Sequence, residues 1–155
     1  MAVINNTTLL VRRIGELQRR RSAMIERQDR MRRVLPEWAF APLQLAGMSS
    51  EEIRSMMSDL SKAETEAGLD QVEHELEGVE QQIEELENQL LTTPAASLDS
   101  VQAVLDLTVT RFRSQVVTDP NDLFYDYGEA RMLAFLERAT DDLRGMLVRT
   151  ERYAS

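Results

Sequence analysis

Between Leu69 and Leu90, apolar residues recur at alternating steps of three and four: Leu69, Val72, Leu76, Val79, Ile83, Leu86 and Leu90. This is the spacing of a coiled-coil seam, in which two of every seven residues face a partner helix. The same stretch carries eight acidic residues and no lysine or arginine, so carboxylates three and four positions apart repel one another along it. Such a helix cannot bury a two-position stripe alone, and it needs a partner that also neutralises its flanks. The stretch therefore predicts an all-α fold, an antiparallel helical coiled coil or bundle of about four main helices, elongated in outline.

A complementary partner lies in the same chain. Residues 1–34 hold nine arginines and three acidic residues, whereas residues 63–110 hold twelve acidic residues and no lysine or arginine. Over the 155 residues the formal charge is −9, which argues against a chain that coats nucleic acid non-specifically, because that binding comes from a positive surface. Aromatic residues make up only 5%, so the core is expected to be aliphatic and a large ligand cavity is not expected. The length fits a single helical domain over 1–155. No cysteine is present, which excludes disulfides and thiolate metal sites and permits a reducing compartment. No stretch approaches the roughly 20 apolar residues of a membrane span, and Asn5, Asn6, Thr7 and Thr8 do not read as a secretory signal. The expectation is a cytoplasmic protein without a membrane span.

Asn5 or Asn6 can cap a basic helix over 1–35 that Pro36 stops. Its stripe reads Leu10, Ile14, Leu17, Met24, Met31 and Leu35, with Arg21 and Gln28 as polar seam positions that lower stability but fix register. Arg12, Arg19, Arg20, Arg27 and Arg30 project from the other side. They read more simply as a solvated face beside acidic neighbours, and alternatively as a stripe for nucleic acid or phosphate. Residues 36–68 form an apolar segment and a short helix. Ser49 and Glu52 have the spacing of a capping box for that helix, which carries Ile53, Met56, Met57 and Leu60. This stripe is out of phase with the acidic seam, so a break is expected at Gly68, with Asp70 available as a cap for the acidic helix over 69–91.

A closing helix pair is expected over 97–153. Ser97 can cap its first member, whose stripe reads Leu98, Val101, Leu105, Phe112 and Val116. A helical turn is expected to start within Asp119 to Asp122. The last helix, Glu129 to Tyr153, reads with a seam of Met132, Leu136, Ala139, Leu143 and Met146, and Arg138 and Asp142 are expected to face each other one turn apart.

Trp38, Phe40, Leu43 and Leu45, on a segment bounded by Pro36 and Pro42, join neither seam, and Met56 and Met57 follow close by. Such residues either cap the end of a bundle or form a partner-binding surface, where Trp and Met are enriched. No catalytic constellation and no cofactor site can be named. His74 is the only histidine, and a di-iron bundle needs a Glu-x-x-His from each of two helices. Clustered carboxylates such as Glu84 and Glu85 read as a hydrated face rather than a metal site, because no Asp-rich loop with a turning glycine is present. No small-molecule substrate is indicated.

The run Glu84 to Leu91, followed by Thr93-Pro94-Ala95-Ala96-Ser97 and a further helix, resembles a group of small uncharacterised bacterial helical proteins. In these a coiled-coil segment runs into a Thr-Pro-Ala turn and a closing pair of helices. The resemblance covers the second half of the chain and implies a bacterial or phage origin, with no activity to carry over. The expected role is that of a non-enzymatic structural or interaction protein, such as an adaptor, scaffold or assembly subunit, binding a protein partner or its own copies. The alternative is a nucleic-acid-associated or regulatory factor using the arginines of the first helix.

Overall fold

The computed structural model describes residues 6–33, 47–66 and 68–154. Among them five helices account for nearly all the ordered backbone, and no strand occurs. These are α1 (Asn6–Arg32), α2 (Ser50–Glu66), α3 (Leu69–Thr92), α4 (Leu98–Gln115) and α5 (Tyr127–Ala154). The expected end of the first helix at Leu35 and Pro36 lies outside the described residues. The chain divides into two compact units, one of residues 16–85 and one of residues 1–15 with 86–155, and the division falls inside α1 and α3.

Each start and stop has a local cause. At the head of α2 the Ser49 N–H donates to Glu52 Oε2 at 2.7 Å and the Glu52 N–H donates to Ser49 Oγ at 3.2 Å, so the capping box forms reciprocally. The Ser49 N–H, and after it the Ser49 hydroxyl, favours the charged carboxylate and holds the pKa of Glu52 below the usual value. Gly68 separates α2 from α3 at φ +74°, a left-handed conformation that costs other residues about 1–2 kcal/mol. Asp70 does not cap α3. It stands inside the first turn and accepts a hydrogen bond from the Thr65 hydroxyl at 2.9 Å, while its negative charge complements the helix N-terminus. Ser97 does cap α4, accepting from Ser100 N–H at 3.2 Å.

In the unit of residues 16–85, Met24, Val79 and Ile83 form a buried cluster, against which Leu17 and Leu76 pack. Leu69 and Val72 continue the seam at 2% exposure each. Arg21 Nε donates to Glu80 Oε1 at 2.8 Å, and Arg32 donates to Glu73 Oε1 at 3.4 Å. Positions on α3 thus fall as positions on α1 rise, so these two segments run in opposite directions. Gln28 is buried, as its seam position implies, and donates to the same Glu73 oxygen at 3.2 Å.

In the other unit the expected stripes are inner only in part. On α4, Val116 is buried and Leu105 and Phe112 are half-buried as expected, whereas Leu98 and Val101 are exposed and Ser100, Gln102 and Val109 are buried beside the stripe. On α5, Met132, Ala139 and Met146 are exposed, and the inner positions are Leu133 and Thr140, with Leu136, Leu143 and Leu147 half-buried. Charge selects this face. Arg113 on α4 pairs with Glu137 on α5 at 2.8 Å, and Arg144 on α5 reaches Asp106 on α4 at 2.5 Å, two pairs that hold Leu133 and Thr140 inward. The helical turn expected near Asp119 is instead a run of turns in which Asp119 and Asp122 accept from the N–H groups of Asn121 and Phe124. Asp126 then accepts from Glu129 N–H at 2.9 Å and starts α5 two residues early. Arg138 pairs with Asp142 at 3.2 Å as its spacing implies.

Two outcomes follow from this packing. Ile83→Asp places a carboxylate in a cluster with no cation and lowers unfolding free energy by about 3–5 kcal/mol, read from urea denaturation followed by circular dichroism; an unchanged midpoint contradicts burial of the seam. Gly68→Ala lowers it by about 1–2 kcal/mol through the left-handed backbone.

Candidate functional site

The acidic helix meets basic residues at three glutamates spaced by seven. Glu73 accepts from Arg32 and Gln28, Glu80 from Arg21, and Glu87 from Arg111 of α4. These side chains flank the apolar seam, where coiled coils place the charges that choose partners. All seven seam residues are buried or half-buried: Leu69, Val72, Val79 and Ile83 fully, Leu76, Leu86 and Leu90 in part. Periodicity alone gives the line along which these residues lie. It did not say which arginines would meet it.

Arg12, Arg19, Arg20, Arg27 and Arg30 are exposed, and no ion pair joins them to another described residue. The arginines that do pair are Arg21, read from the sequence as a seam position, and Arg32 at the helix end. An edge position beside a seam and a position within it differ by a fraction of a turn, so spacing separates them poorly. Among the residues expected to bind a partner, Trp38, Phe40, Leu43 and Leu45 lie outside the described residues. Met56 is half-buried and Met57 is 55% exposed. None of the residues of α2 is buried.

The signal that the sequence reading missed lies on α5. Met132, Phe135 and Met146 are 63%, 64% and 56% exposed on one side of the helix. Arg131 lies over the rings of Tyr127 and Phe135 at 5.9 and 5.6 Å, a cation–π arrangement on an open surface. Exposed large apolar groups in this density mark interaction surfaces. The sequence pattern predicts Met132, Ala139 and Met146 as inner positions, whereas the ion pairs to α4 mark the opposite side of the helix as inner.

A groove of about 360 Å³ runs between α4 and α5, walled by Val109, Thr110 and Thr140 and crossed by Asp106, Arg113, Glu137, Asp141 and Arg144. Its charges are taken up in joining the helices. Asp106 accepts from Arg144 and from the buried Gln102 amide at 3.0 Å, and Arg144 also pairs with Asp141 at 2.8 Å. Gln102 Oε1 is buried without a partner among the described residues. His74 is exposed, and no group of three or more possible metal-binding side chains occurs among the described residues. No helix there is long and apolar enough to cross a membrane. No known protein family, curated protein or solved structure matches the chain.

Replacing Glu73, Glu80 and Glu87 with Lys sets like charges against Arg32, Arg21 and Arg111. Exposed pairs contribute only about 0.2–1 kcal/mol each, so the triple variant loses about 1–3 kcal/mol at low salt, and the loss shrinks as salt screens the repulsion. A native melting temperature at low salt would show that these pairs do not select the packing. Because the pKa of Glu52 is lowered by folding, its capping stabilisation is present above the ordinary carboxylate pKa and is lost as pH falls through the folded value. Helicity of α2 therefore decreases on acidification in the native chain, and Glu52→Gln, which keeps a capping-box acceptor but has no carboxylate to titrate, abolishes that pH response, read by circular dichroism.

Proposed function

We propose that this chain is a non-enzymatic structural or interaction protein, an adaptor, scaffold or subunit of a larger assembly of bacterial or phage origin, acting in the cytoplasm. The basic and acidic helices form an antiparallel coiled coil, the last two helices close the bundle, and partners are engaged through apolar contacts. The observation that carries this reading is large apolar side chains left exposed among the described residues: Met132, Phe135 and Met146 on α5 and Met57 on α2. A single exposed methionine needs no explanation, but aligned large residues beside stacked aromatics are costly to leave in water. Trp38, Phe40, Leu43 and Leu45, with Met56 and Met57, extend the proposed partner surface, because they fit neither seam.

A second reading, a nucleic-acid-associated or regulatory factor, is favoured by Arg12, Arg19, Arg20, Arg27 and Arg30, which are exposed and form no ion pair with another described residue. The two separate by salt. Apolar association persists at ordinary salt, whereas phosphate binding falls steeply and log-linearly with it.

Co-purification from the native source, with solution mass measured in parallel, tests the proposal. The wild type self-associates or retains a protein partner at physiological salt, and Trp38→Ala weakens that association by about 30-fold, as a central interface Trp does, with an unchanged melting temperature. A chain that stays monomeric and retains nothing contradicts the reading, and a large fall in melting temperature for Trp38→Ala assigns the segment to the core.

A further inference from the structure

One edge of the outer stripe of α5 is basic. Arg131 and Arg138, seven residues apart, directly precede Met132 and Ala139, and both are exposed. Arg131 stacks on neighbouring rings, and among the described residues Arg138 pairs only with the exposed Asp142 of its own helix. Nothing among the described residues of this unit covers Met132, Phe135 or Met146.

α2 has the complementary lack. Its apolar side, Ile53, Met56, Leu60 and Ala63, is only half-buried. Its acidic edge is Glu52, Asp59 and Glu66, also at spacings of seven and all exposed. Glu52 and Asp59 directly precede Ile53 and Leu60, so the acidic row of α2 occupies the heptad position that the arginine row occupies in α5. In an antiparallel helix pair, like edges run side by side and exchange salt bridges.

Resting on the interaction reading above, we propose that α2 of one chain docks antiparallel on the outer stripe of α5 of a second copy, with Asp59 beside Arg138 and Glu66 beside Arg131 of the second copy. In this register Leu60 falls against Phe135, Met56 against Ala139 and Ala63 against Met132, so that two of the three layers set a large residue against an alanine and leave room for interdigitation. Pairing α5 with α5 of the second copy would instead run arginine edge against arginine edge, which like charges disfavour. Each chain carries both halves, so the proposal is of two copies docking reciprocally in a twofold dimer.

Light scattering of the purified full chain tests this. The wild type runs at twice the chain mass of 17.7 kDa. Arg131→Glu combined with Arg138→Glu weakens self-association by about tenfold or more, since like charges then face each other at two points. Adding Asp59→Arg and Glu66→Arg to the same chain reverses both rows and restores the dimer, a rescue that a merely unfolded double variant could not give. A monomeric wild type overturns the proposal, as does a dimer indifferent to the reversal or a fourfold variant that stays apart. A monomer that binds a different protein through Trp38 overturns this docking and leaves the interaction reading standing.

Discussion

The apolar seam of α3 needs a neighbour, and its flanks decide which neighbour is acceptable. Seven aliphatic residues along one line offer the larger stabilisation, because fully burying a Leu, Ile or Val side chain contributes about 1.5–3 kcal/mol, whereas an exposed ion pair contributes at most about 1 kcal/mol. Selection runs the other way. Without a lysine or arginine of its own, α3 repels any acidic surface, so Arg21, Arg32 and Arg111 meet it at Glu80, Glu73 and Glu87. The buried Gln28 adds a polar check on register through Glu73.

The pair α4 and α5 follows the same division with more polar character. Val109, Val116 and Leu133 are buried there, but so are Ser100, Gln102 and Thr140. Gln102, Asp106, Arg144 and Asp141 form a hydrogen-bonded chain across the two helices. Of these only Gln102 is buried, and Leu98 and Val101 of α4 and Met132, Phe135 and Met146 of α5 stay exposed.

Much of the fold was legible because its signals are local or strictly periodic. The seam from Leu69 to Leu90, the capping box at Ser49 and Glu52, the break at Gly68 and the cap at Ser97 each depend on residues a few positions apart. What was not legible depends on two elements at once. α5 carries apolar residues on both 132/139/146 and 133/136/143/147, and choosing between them requires knowing that Arg113 and Asp106 of α4 lie opposite Glu137 and Arg144. The candidate surface was read only in part for the same reason. Met57 could be singled out for belonging to no seam, while Phe135 was passed over because its helix seemed complete without it.

The central claim is that the seam holds α3 in place while charge only chooses its neighbours. Native-state hydrogen exchange in about 1 M salt, where the screening length is about 3 Å, tests it most directly. If the account is right, amides between Val72 and Ile83 keep the slowest exchange in the chain at that salt, while those of α2, which has no buried residue, exchange far faster. Collapse of protection at Val72 to Ile83 on adding salt, with α2 no less protected than α3, would contradict it.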